Sequence, residues 1–497
     1  MLERTQSGSR PVIRALGKPT LEETIAAFWR HHSRRRSPLR SSVARLAELA
    51  LAPEPEIAAE STRVLFERII EPLCDGFTRR GAETYRRIFA QIIMAARKRP
   101  ECRALDEALS AAGFVTERDL LRAPNPRPVT ELERCRIRKA IVLSRMTLGA
   151  DVAISLPILL RAEALFPNAR IAFVGNDAAR VLARGLERVD HVEVPYGRAD
   201  LLADRLNAWP ALMSAVRAEC ADLAADEYLL IDPDSRLTQL GLLRPVPDER
   251  CFHFPSRSYG AHLTDSLRTL AAKWMSETFG VVPTRDASLS PESVDASWID
   301  RVRASCAERL LASVSFGVGG NERKRAGLAF EADLVGCLVA QGYTVLLARG
   351  VGQHESDECQ KLCALLAGRG LRVVNLPSGG TLPPAVGEAD VLTWQGSVDT
   401  FVASIGRADL YVGYDSAGQH IAAALEVPVL SIFVEAAGRR HALRWMPEGR
   451  GIVRVVRSPW PPDRRELFER ASAELTELAW EINARRRGLR LGAPQPR

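Results

Sequence analysis

Long apolar runs and cysteine spacing patterns are both missing from this sequence. No stretch approaches the ~20 consecutive apolar residues that a membrane-spanning helix requires, and the N-terminus shows no apolar signal-peptide core. The nine cysteines include no C-x-x-C pair. An odd number without regular spacing argues against a disulfide scaffold and for a reducing compartment. We therefore expect a cytoplasmic protein without membrane-spanning segments.

Acidic residues are scarce at the two ends of the chain. The chain has a net charge of +7, and its excess of basic residues lies at the two ends. Residues 1–50 contain ten Lys or Arg against four Asp or Glu, and residues 484–497 contain five Arg and no acidic residue. These ends could contact an anionic membrane surface peripherally, or they could be solvated tails. We expect no nucleic-acid partner. The 497 residues, of which 46% are hydrophobic and 26% charged, predict two or three globular domains.

Helical periodicity dominates the first quarter of the chain. Apolar residues recur at spacings of three, four and seven between Thr20 and Arg122, which predicts amphipathic helices. The sequence APNPRP after them is typical of a linker, so we expect a separable all-α accessory domain. The predicted domains are a basic tail (1–19), the helical domain (20–130), an N-terminal lobe (131–297), a C-terminal lobe (298–460), and a C-terminal helix with a basic tail (461–497).

Strands and helices alternate through the rest of the chain. Apolar runs predict strands at residues 140–144, 170–174, 191–194 and 228–231, and then at 311–315, 344–347, 371–374, 410–412 and 429–433. A final helix at residues 464–484 is expected to pack on the first sheet. Strands separated by helices favour parallel sheets. The predicted fold class is therefore α/β, with two doubly wound, Rossmann-like domains, a ligand cleft between them, and the all-α domain in front.

The most informative stretch is ADLYVGYDSAGQHIAAALEVPVLSIF, at residues 408–433. Its pattern predicts a strand, a tight turn at Asp415 and Ser416, a short helix of small residues and a second strand. A helix N-terminus presents unpaired N–H groups and the positive end of the helix dipole, which suits a phosphate. Gly418 would let an anion approach the backbone closely.

The same stretch resembles the nucleotide-sugar signature of glycosyltransferase family nine, the ADP-heptose:lipopolysaccharide heptosyltransferases. That signature reads roughly D-S-G-P-x-H-(I/L)-A-A-A-L-G-x-P, and this sequence departs from it at positions 417, 418 and 426. The matching positions include Asp415, Ser416, His420, Ile421 and Pro428. The resemblance covers about residues 138–460 and implies a GT-B fold, with the nucleotide sugar held mainly by the second lobe and the acceptor by the first. A buried core histidine is the alternative interpretation of His420 alone.

The first lobe carries two further segments that resemble family motifs. The segment LGADV resembles L-G-D-(V/I), whose aspartate is the proposed general base, and here Ala150 is an additional residue. The resemblance implies that Asp151 removes the proton of the acceptor hydroxyl. A helix N-cap is the alternative role. Asp232 and Arg236 lie in a segment similar to the family's acceptor-side motif.

The second lobe supplies the residues expected to hold the donor. The loop SFGVGGNERKR comes after a predicted strand and lacks both the G-x-G-x-x-G and the G-K-(S/T) patterns. Its Gly319, Gly320 and Lys324 could cradle a diphosphate, with a flexible basic loop as the alternative. The resemblance places Glu355 near the ribose or sugar. It places Arg440 in a basic segment that closes on phosphate.

Together these features predict a metal-independent, inverting, heptosyltransferase-like glycosyltransferase, as in lipopolysaccharide biosynthesis. It would move a sugar from a nucleoside diphosphate to a hydroxyl of a glycan or glycolipid, with no cofactor. The D-P-D at residues 232–234 also resembles the metal-binding D-x-D of other glycosyltransferases, a role that a GT-B context argues against. Two alternatives stay open: a catalytically silent sugar-nucleotide-binding protein that acts through its helical domain, and a GT-B sugar-nucleotide epimerase.

Overall fold

The computed structural model of the chain describes residues 19–34, 40–197, 200–281, 289, 296–306, 309–319, 321–377 and 381–487. Within these residues a helical N-terminal segment precedes two parallel β-sheets, each flanked by helices. The prediction of two doubly wound α/β lobes behind a helical part is confirmed. Among the described residues, no helix is both long and apolar enough to cross a membrane.

The helical segment is built from short helices with well-defined starts. Thr20, Thr116 and Thr130 each form a reciprocal capping box with the acidic residue three positions later. A π-helical turn at Phe66–Ile70 joins the third helix to the fourth. The helices are α1 (Leu21–Ser33), α2 (Arg40–Ala50), α3 (Pro55–Leu65), α4 (Glu71–Asp75), α5 (Arg79–Ala96), α6 (Arg103–Ala111), α7 (Glu117–Leu121) and α8 (Glu131–Arg134).

The first lobe contains a five-stranded parallel sheet with the order β3-β2-β1-β4-β5. Its strands are β1 (Lys139–Leu143), β2 (Arg170–Gly175), β3 (Val189–Glu193), β4 (Tyr228–Asp232) and β5 (Cys251–His253). Its helices are α9 (Leu148–Ala150), α10 (Leu156–Leu165), α11 (Arg180–Ala183), α12 (Leu202–Cys220) and α13 (Leu267–Phe279). The central strands are buried apolar runs, as a sheet covered on both faces requires. The sequence analysis missed β5, which has only three residues.

The second lobe contains a seven-stranded parallel sheet with the order β12-β11-β10-β6-β7-β9-β8. Its strands are β6 (Leu310–Ser315), β7 (Tyr343–Ala348), β8 (Val373–Asn375), β9 (Val391–Trp394), β10 (Leu410–Tyr414), β11 (Val429–Glu435) and β12 (Val453–Pro459). Its helices are α14 (Ser297–Ser305), α15 (Leu328–Ala340), α16 (Gln353–Gly368), α17 (Val398–Gly406), α18 (Ala417–Ala424), α19 (Arg439–Arg444) and α20 (Arg464–Arg486). The sequence analysis missed β9 and β12 and placed β8 too early.

The last helix, α20, lies against the second sheet and not the first. Its Leu467, Leu475 and Leu478 are buried in the core that also contains side chains of β6, β7 and β11. The expectation that this helix packs on the first sheet is therefore wrong. The reason is the unpredicted strand β12, which pairs with β11 and delivers the chain directly to the second sheet.

The helical segment and the first lobe share one hydrophobic core. Ile88 and Phe89 of α5 are fully buried in the same cluster as Ile141 of β1. Phe114 meets Trp209 of α12 edge to face, with ring centroids 5.9 Å apart. Because separation would expose this apolar surface to water, the packing argues against a separable helical domain.

The two lobes contact each other at α9 and α18. A Cβ on Gly149 would lie 3.0 Å from the Cα of Ala417, so a larger residue would require α18 to shift by a few tenths of an ångström. Val152 of the first lobe and Ile421 of the second lie in one buried cluster just behind the contact. The cleft between the lobes is therefore closed at this point.

Candidate active site

Lys324 and Asp415, the two strongest candidates for donor binding, meet at the turn between β10 and α18. Lys324, in the loop after β6, donates from Nζ to Asp415 Oδ2 at 2.7 Å. Asp415 Oδ1 accepts from Gln419 Nε2 at 3.0 Å. Since β6 and β10 are neighbours in the parallel sheet, their carboxyl ends bring these residues of distant sequence together. Ser416 is the N-cap residue of α18, as its position in the signature predicts.

Asp415 is ionised in this setting. Burial alone would raise its pKa, but the charge of Lys324 and the nearby His441 and His420 more than offset burial, so the pKa lies below its ordinary value. His441 Nδ1 lies 3.8 Å from Asp415 Oδ2. The carboxylate therefore holds Lys324 at the N-terminal end of α18.

His420 is buried behind this turn. Its ring lies 5.9 Å from that of Trp445, edge to face, and burial lowers its pKa to about 4. The imidazole is therefore neutral at neutral pH. This placement agrees with the alternative interpretation of His420 as a core residue rather than a residue at the surface of the cleft.

Gly418 is required by packing. A Cβ at this position would lie only 2.0 Å from Tyr411 Oη, so a larger residue would collide with the ring beneath α18. Glycine here was expected to let an anion approach the backbone. The structure gives the glycine a second, structural reason.

A small, open cleft lies where β6 and β7 end. Glu355 spans it: Oε1 accepts from the Gly319 amide and Oε2 from the Val351 amide, both at 3.1 Å. Arg325, which also lines the cleft, is held by the buried Glu331. The cleft therefore presents carboxylates and a guanidinium that are already fixed in position. Gly320, the other glycine of the expected cradle, lies outside the described residues.

Asp151 is buried rather than exposed to an open cleft, which corrects the sequence expectation. Only 1% of its surface is accessible. Oδ1 accepts from the Arg145 amide at 2.6 Å and from Ser155 Oγ at 2.7 Å, and Oδ2 accepts from Ser144 Oγ at 2.7 Å. Burial raises the pKa of Asp151 to about 6. The carboxylate thus stabilises the turn after β1.

The residues after Ala150 form a π-helical turn. It spans Asp151–Ser155 and is closed by a hydrogen bond from the Leu156 amide to the Asp151 carbonyl. A π turn holds one more residue than an α turn. The additional residue relative to the family motif therefore coincides with a local change of helix type.

Asp232 and Arg236, expected on the acceptor side, are also engaged inside the protein. Asp232 accepts from the Ser235 amide at 2.7 Å and from Thr238 Oγ1 at 2.6 Å. Arg236 NH1 donates to Tyr85 Oη of the helical segment at 3.0 Å. Arg236 thus connects the first lobe to the helical segment, and Asp232 holds the turn after β4. These contacts are not the acceptor-side role that the sequence suggested.

Asp234, the second aspartate of the D-x-D, is similarly committed. It accepts from Ser256 Oγ at 2.8 Å and lies 3.0 Å from His253 Nε2. Burial would raise its pKa, but His253 and two nearby arginines hold the pKa well below its ordinary range. Among the described residues, no group of three or more His, Cys, Asp or Glu side chains is arranged to hold a metal ion.

The turn after α4 inserts the helical segment between the two lobes. Phe77, which adopts a positive φ of 44°, is buried between Arg257 of the first lobe and Trp445 of the second. Its carbonyl accepts from Arg440 NH1 at 3.3 Å. Arg440 therefore contacts the helical segment in this structure, and its expected role of closing on phosphate is not what the geometry displays.

Asp75 stands beside Phe77 at the same junction. Its Oδ1 lies 3.8 Å from Arg257 NH1 and 3.9 Å from His441 Nε2. Sequence reasoning missed these residues because they belong to three separate parts of the chain. The Asp-Gly pair at 75 and 76 predicts a turn, but nothing in it indicates which side chains the turn will meet.

The protein has two α/β lobes, each with a parallel sheet, and they meet beside the charged turn that begins α18. This architecture is that of the GT-B glycosyltransferase folds. Residues 395–449 match the model of glycosyltransferase family 9 (heptosyltransferase). This match includes the Asp415 signature and confirms the resemblance to that family.

A relative of known function agrees with this assignment. The chain is 28% identical over 145 residues to lipopolysaccharide heptosyltransferase 3 of Escherichia coli, a match that covers 29% of this chain and 35% of that protein. The chain thus spans about a third of the length of this curated relative.

A solved structure shows the same fold. A family 9 glycosyltransferase from Veillonella parvula is 14% identical, with a TM-score of 0.51, and the match covers 72% of this chain and all of that one. The E. coli ADP-heptose lipopolysaccharide heptosyltransferase II is 17% identical, with a TM-score of 0.45, over 70% of this chain and all of that one.

Proposed function

We propose that the protein is a heptosyltransferase-like glycosyltransferase that transfers a sugar from a nucleoside diphosphate to a hydroxyl of a glycan or glycolipid. The observation that carries this proposal is the Lys324–Asp415 pair of 2.7 Å at the N-terminus of α18. A lysine and a helix N-terminus together stabilise the negative charge that develops on a departing diphosphate. Such stabilisation requires no metal ion, and we propose a metal-independent, inverting reaction.

The donor would occupy the second lobe. Lys324 donates to Asp415 Oδ2 at 2.7 Å and to the Asp415 carbonyl at 3.4 Å, so one of its three N–H donors would serve a phosphate oxygen. The nucleoside would bind at the neighbouring small cleft, where Glu355 can accept hydrogen bonds from ribose hydroxyls. Gly319 would face the same ligand through the loop that Glu355 holds.

Donor binding would require the lobes to separate locally. The Ala417 amide, the first N–H of α18, lies only 3.3 Å from the position of a Cβ on Gly149. A diphosphate oxygen that accepts from this amide needs the same space. We therefore propose that the contact between α9 and α18 opens when the donor binds and closes again around it.

The reaction would take place on the cytoplasmic side of a membrane that carries the acceptor. Lipopolysaccharide heptosyltransferase 3, the E. coli relative, is named for such a glycolipid. The basic residues near both ends of this chain would favour a peripheral contact with anionic lipid.

A silent sugar-nucleotide-binding protein is the second candidate. The observation in its favour is Asp151, whose carboxylate oxygens are occupied inside the first lobe. Turnover separates the two candidates, because a transferase releases nucleoside diphosphate from the donor and a binding protein does not.

The experiment combines binding and turnover on the same protein. ADP, GDP, UDP and ADP-heptose are tested by thermal shift, since a ligand of the native state raises the melting temperature. ADP release from ADP-heptose is then measured. The proposal expects stabilisation by at least one nucleotide and its loss in Lys324→Ala, but not in a control with exposed Lys273→Ala. Stabilisation by none of these ligands would contradict it.

A further inference from the structure

Three parts of the chain contribute charge to one point at the junction between the two lobes. Asp75 comes from the helical segment, Arg257 from the first lobe and His441 from the second. On the far side of His441, its Nδ1 approaches Asp415, which holds Lys324. A single imidazole ring therefore separates the carboxylate of Asp75 from the site proposed for the diphosphate.

The turn that carries Asp75 is held firmly in this position. Phe77 is 1% exposed, and its ring lies 6.3 Å from His441 and 6.5 Å from Trp445. The guanidinium of Arg257 covers the other side of the same ring at 5.3 Å. Phe77 also adopts a positive φ of 44°, an uncommon conformation for a residue other than glycine that persists where surrounding packing enforces it.

Asp75 and Asp151 differ in the way that matters for a proton acceptor. The side chain of Asp75 is 26% exposed, and its contacts with Arg257 and His441 are ion-pair distances rather than short hydrogen bonds. Asp151 is sealed, and it already accepts three hydrogen bonds shorter than 2.8 Å. Of these two carboxylates, only Asp75 has an oxygen that an incoming hydroxyl can reach without unfolding the turn after β1.

Arg257 reinforces this position. Its Nε is buried without a hydrogen-bond partner among the described residues, and its NH1 faces Asp75. A buried guanidinium with unused donors stabilises an anion beside it. Arg257 therefore places positive charge beside the Asp75 carboxylate.

We propose that Asp75 is the general base of the transfer reaction, so that the helical segment supplies a catalytic residue to the site between the lobes. The inference rests on the proposed function. The acceptor O–H bond breaks as its proton passes to an Asp75 oxygen, and the acceptor oxygen forms a bond to the anomeric carbon. The bond from that carbon to the diphosphate oxygen breaks, and its electron pair leaves with the nucleoside diphosphate beside Lys324.

The test measures ADP release from ADP-heptose with water as the acceptor, in the full-length chain. The variants are Asp75→Asn, Asp75→Glu and Asp151→Asn. The matched control is Glu83→Gln, an exposed carboxylate of the same helical segment that pairs with Arg79. Removal of a general base lowers the rate by ~10²–10⁴-fold, so Asp75→Asn should release ADP at least a hundredfold more slowly. Its ADP affinity should stay within about twofold of that of the wild type.

Addition of azide distinguishes a general base from a residue that only maintains the structure. As an anion, azide attacks the anomeric carbon without losing a proton, so it should accelerate ADP release by Asp75→Asn at least tenfold. Asp75→Glu should retain part of the wild-type rate, and Glu83→Gln and Asp151→Asn should retain most of it.

Two results would overturn the inference while leaving the proposed function intact. One is an Asp75→Asn variant that keeps more than a third of the wild-type rate. The other is a slow variant with normal ADP affinity that azide does not accelerate, since that pattern indicates a positioning role. A wild-type protein that neither binds ADP nor releases it from ADP-heptose would overturn both proposals.

Discussion

Lys324 and Asp415, 91 residues apart in the chain, form an ion pair of 2.7 Å at the point where β10 gives way to α18. Both side chains are largely buried, at 21% and 9% exposure. A charge pair in such a setting is costly to maintain unless it serves the site. Under the proposed function this pair would bind the diphosphate, with Asp415 holding the lysine in place.

Replacement of this lysine should therefore weaken nucleotide binding. We expect Lys324→Ala to lower ADP affinity by ~1.5–3 kcal/mol, the contribution of a charge-assisted hydrogen bond. Titration calorimetry measures this loss. The Lys273→Ala control, on the exposed face of α13, should bind ADP as the wild type does. If both variants bind ADP with the same affinity, the turn at Asp415 has a purely structural role.

Asp151 should leave a signature in the pH dependence of stability. Its pKa is about 6 in the folded protein against 3.8 for the ordinary carboxyl, so the folded state binds more protons than the unfolded state between these values. The stability that Asp151 contributes is therefore present below pH 4 and is lost as pH rises through 6. The loss amounts to about 3 kcal/mol, at ~1.4 kcal/mol per pKa unit.

Asp151→Asn tests this pH dependence, because an amide keeps a similar shape and does not ionise. The free energy of unfolding of the variant, relative to wild type, should rise between pH 4 and pH 7. Denaturant titrations at the two pH values provide the measurement. A difference that is constant over this range would show that Asp151 is ionised throughout and not penalised by burial.

Chelation should leave activity unchanged. The carboxylate oxygens of Asp232 and Asp234 are engaged by Ser235, Thr238 and Ser256, so a metal ion would have to displace several hydrogen bonds. We expect ADP release from ADP-heptose to be the same within error before and after EDTA treatment. Loss of activity that Mn²⁺ restores would instead establish the D-x-D as a metal site.

Removal of the helical segment should destabilise the protein. A chain that starts at Glu131 exposes the apolar surface of the first lobe that the helical segment covers, including Trp209 of α12, whose ring meets Phe114. We expect this truncated chain to aggregate or to lose cooperative unfolding, whereas a control that starts at Pro19 should melt like the full-length protein. A soluble, cooperatively folded chain from Glu131 would restore the original expectation of a separable domain.

The sequence was sufficient for the parts of the fold that have strong local patterns. Buried strands such as β1 and β10 and the amphipathic helix α5 were predicted because their periodicity is set by residues close in sequence. The short edge strand β5 and the partly exposed β12 were missed, because edge strands have weak patterns. The wrong position of α20 resulted directly from the missed β12.

The residues of the candidate site also fall into those that local sequence predicts and those that only tertiary packing places. Lys324, Asp415 and Glu355 could be predicted as candidates because each lies just after a strand in a segment with its own signature. The burial of Asp151 depends on three partners and on the π turn after Ala150, which no local pattern reveals. The placement of Asp75 depends on how the helical segment packs between the lobes, and only tertiary structure supplies that.

A crystal structure of the protein with ADP would test the proposed donor site directly, because it does not depend on enzymatic activity. We expect the diphosphate within ~3 Å of Lys324 Nζ and of the first amides of α18, the distance of a charge-assisted hydrogen bond. The ribose should lie toward Glu355, and Gly149 should have moved away from Ala417. ADP bound at any other place, with the Lys324–Asp415 pair intact and the lobes still in contact there, would contradict the assignment of the diphosphate to this turn.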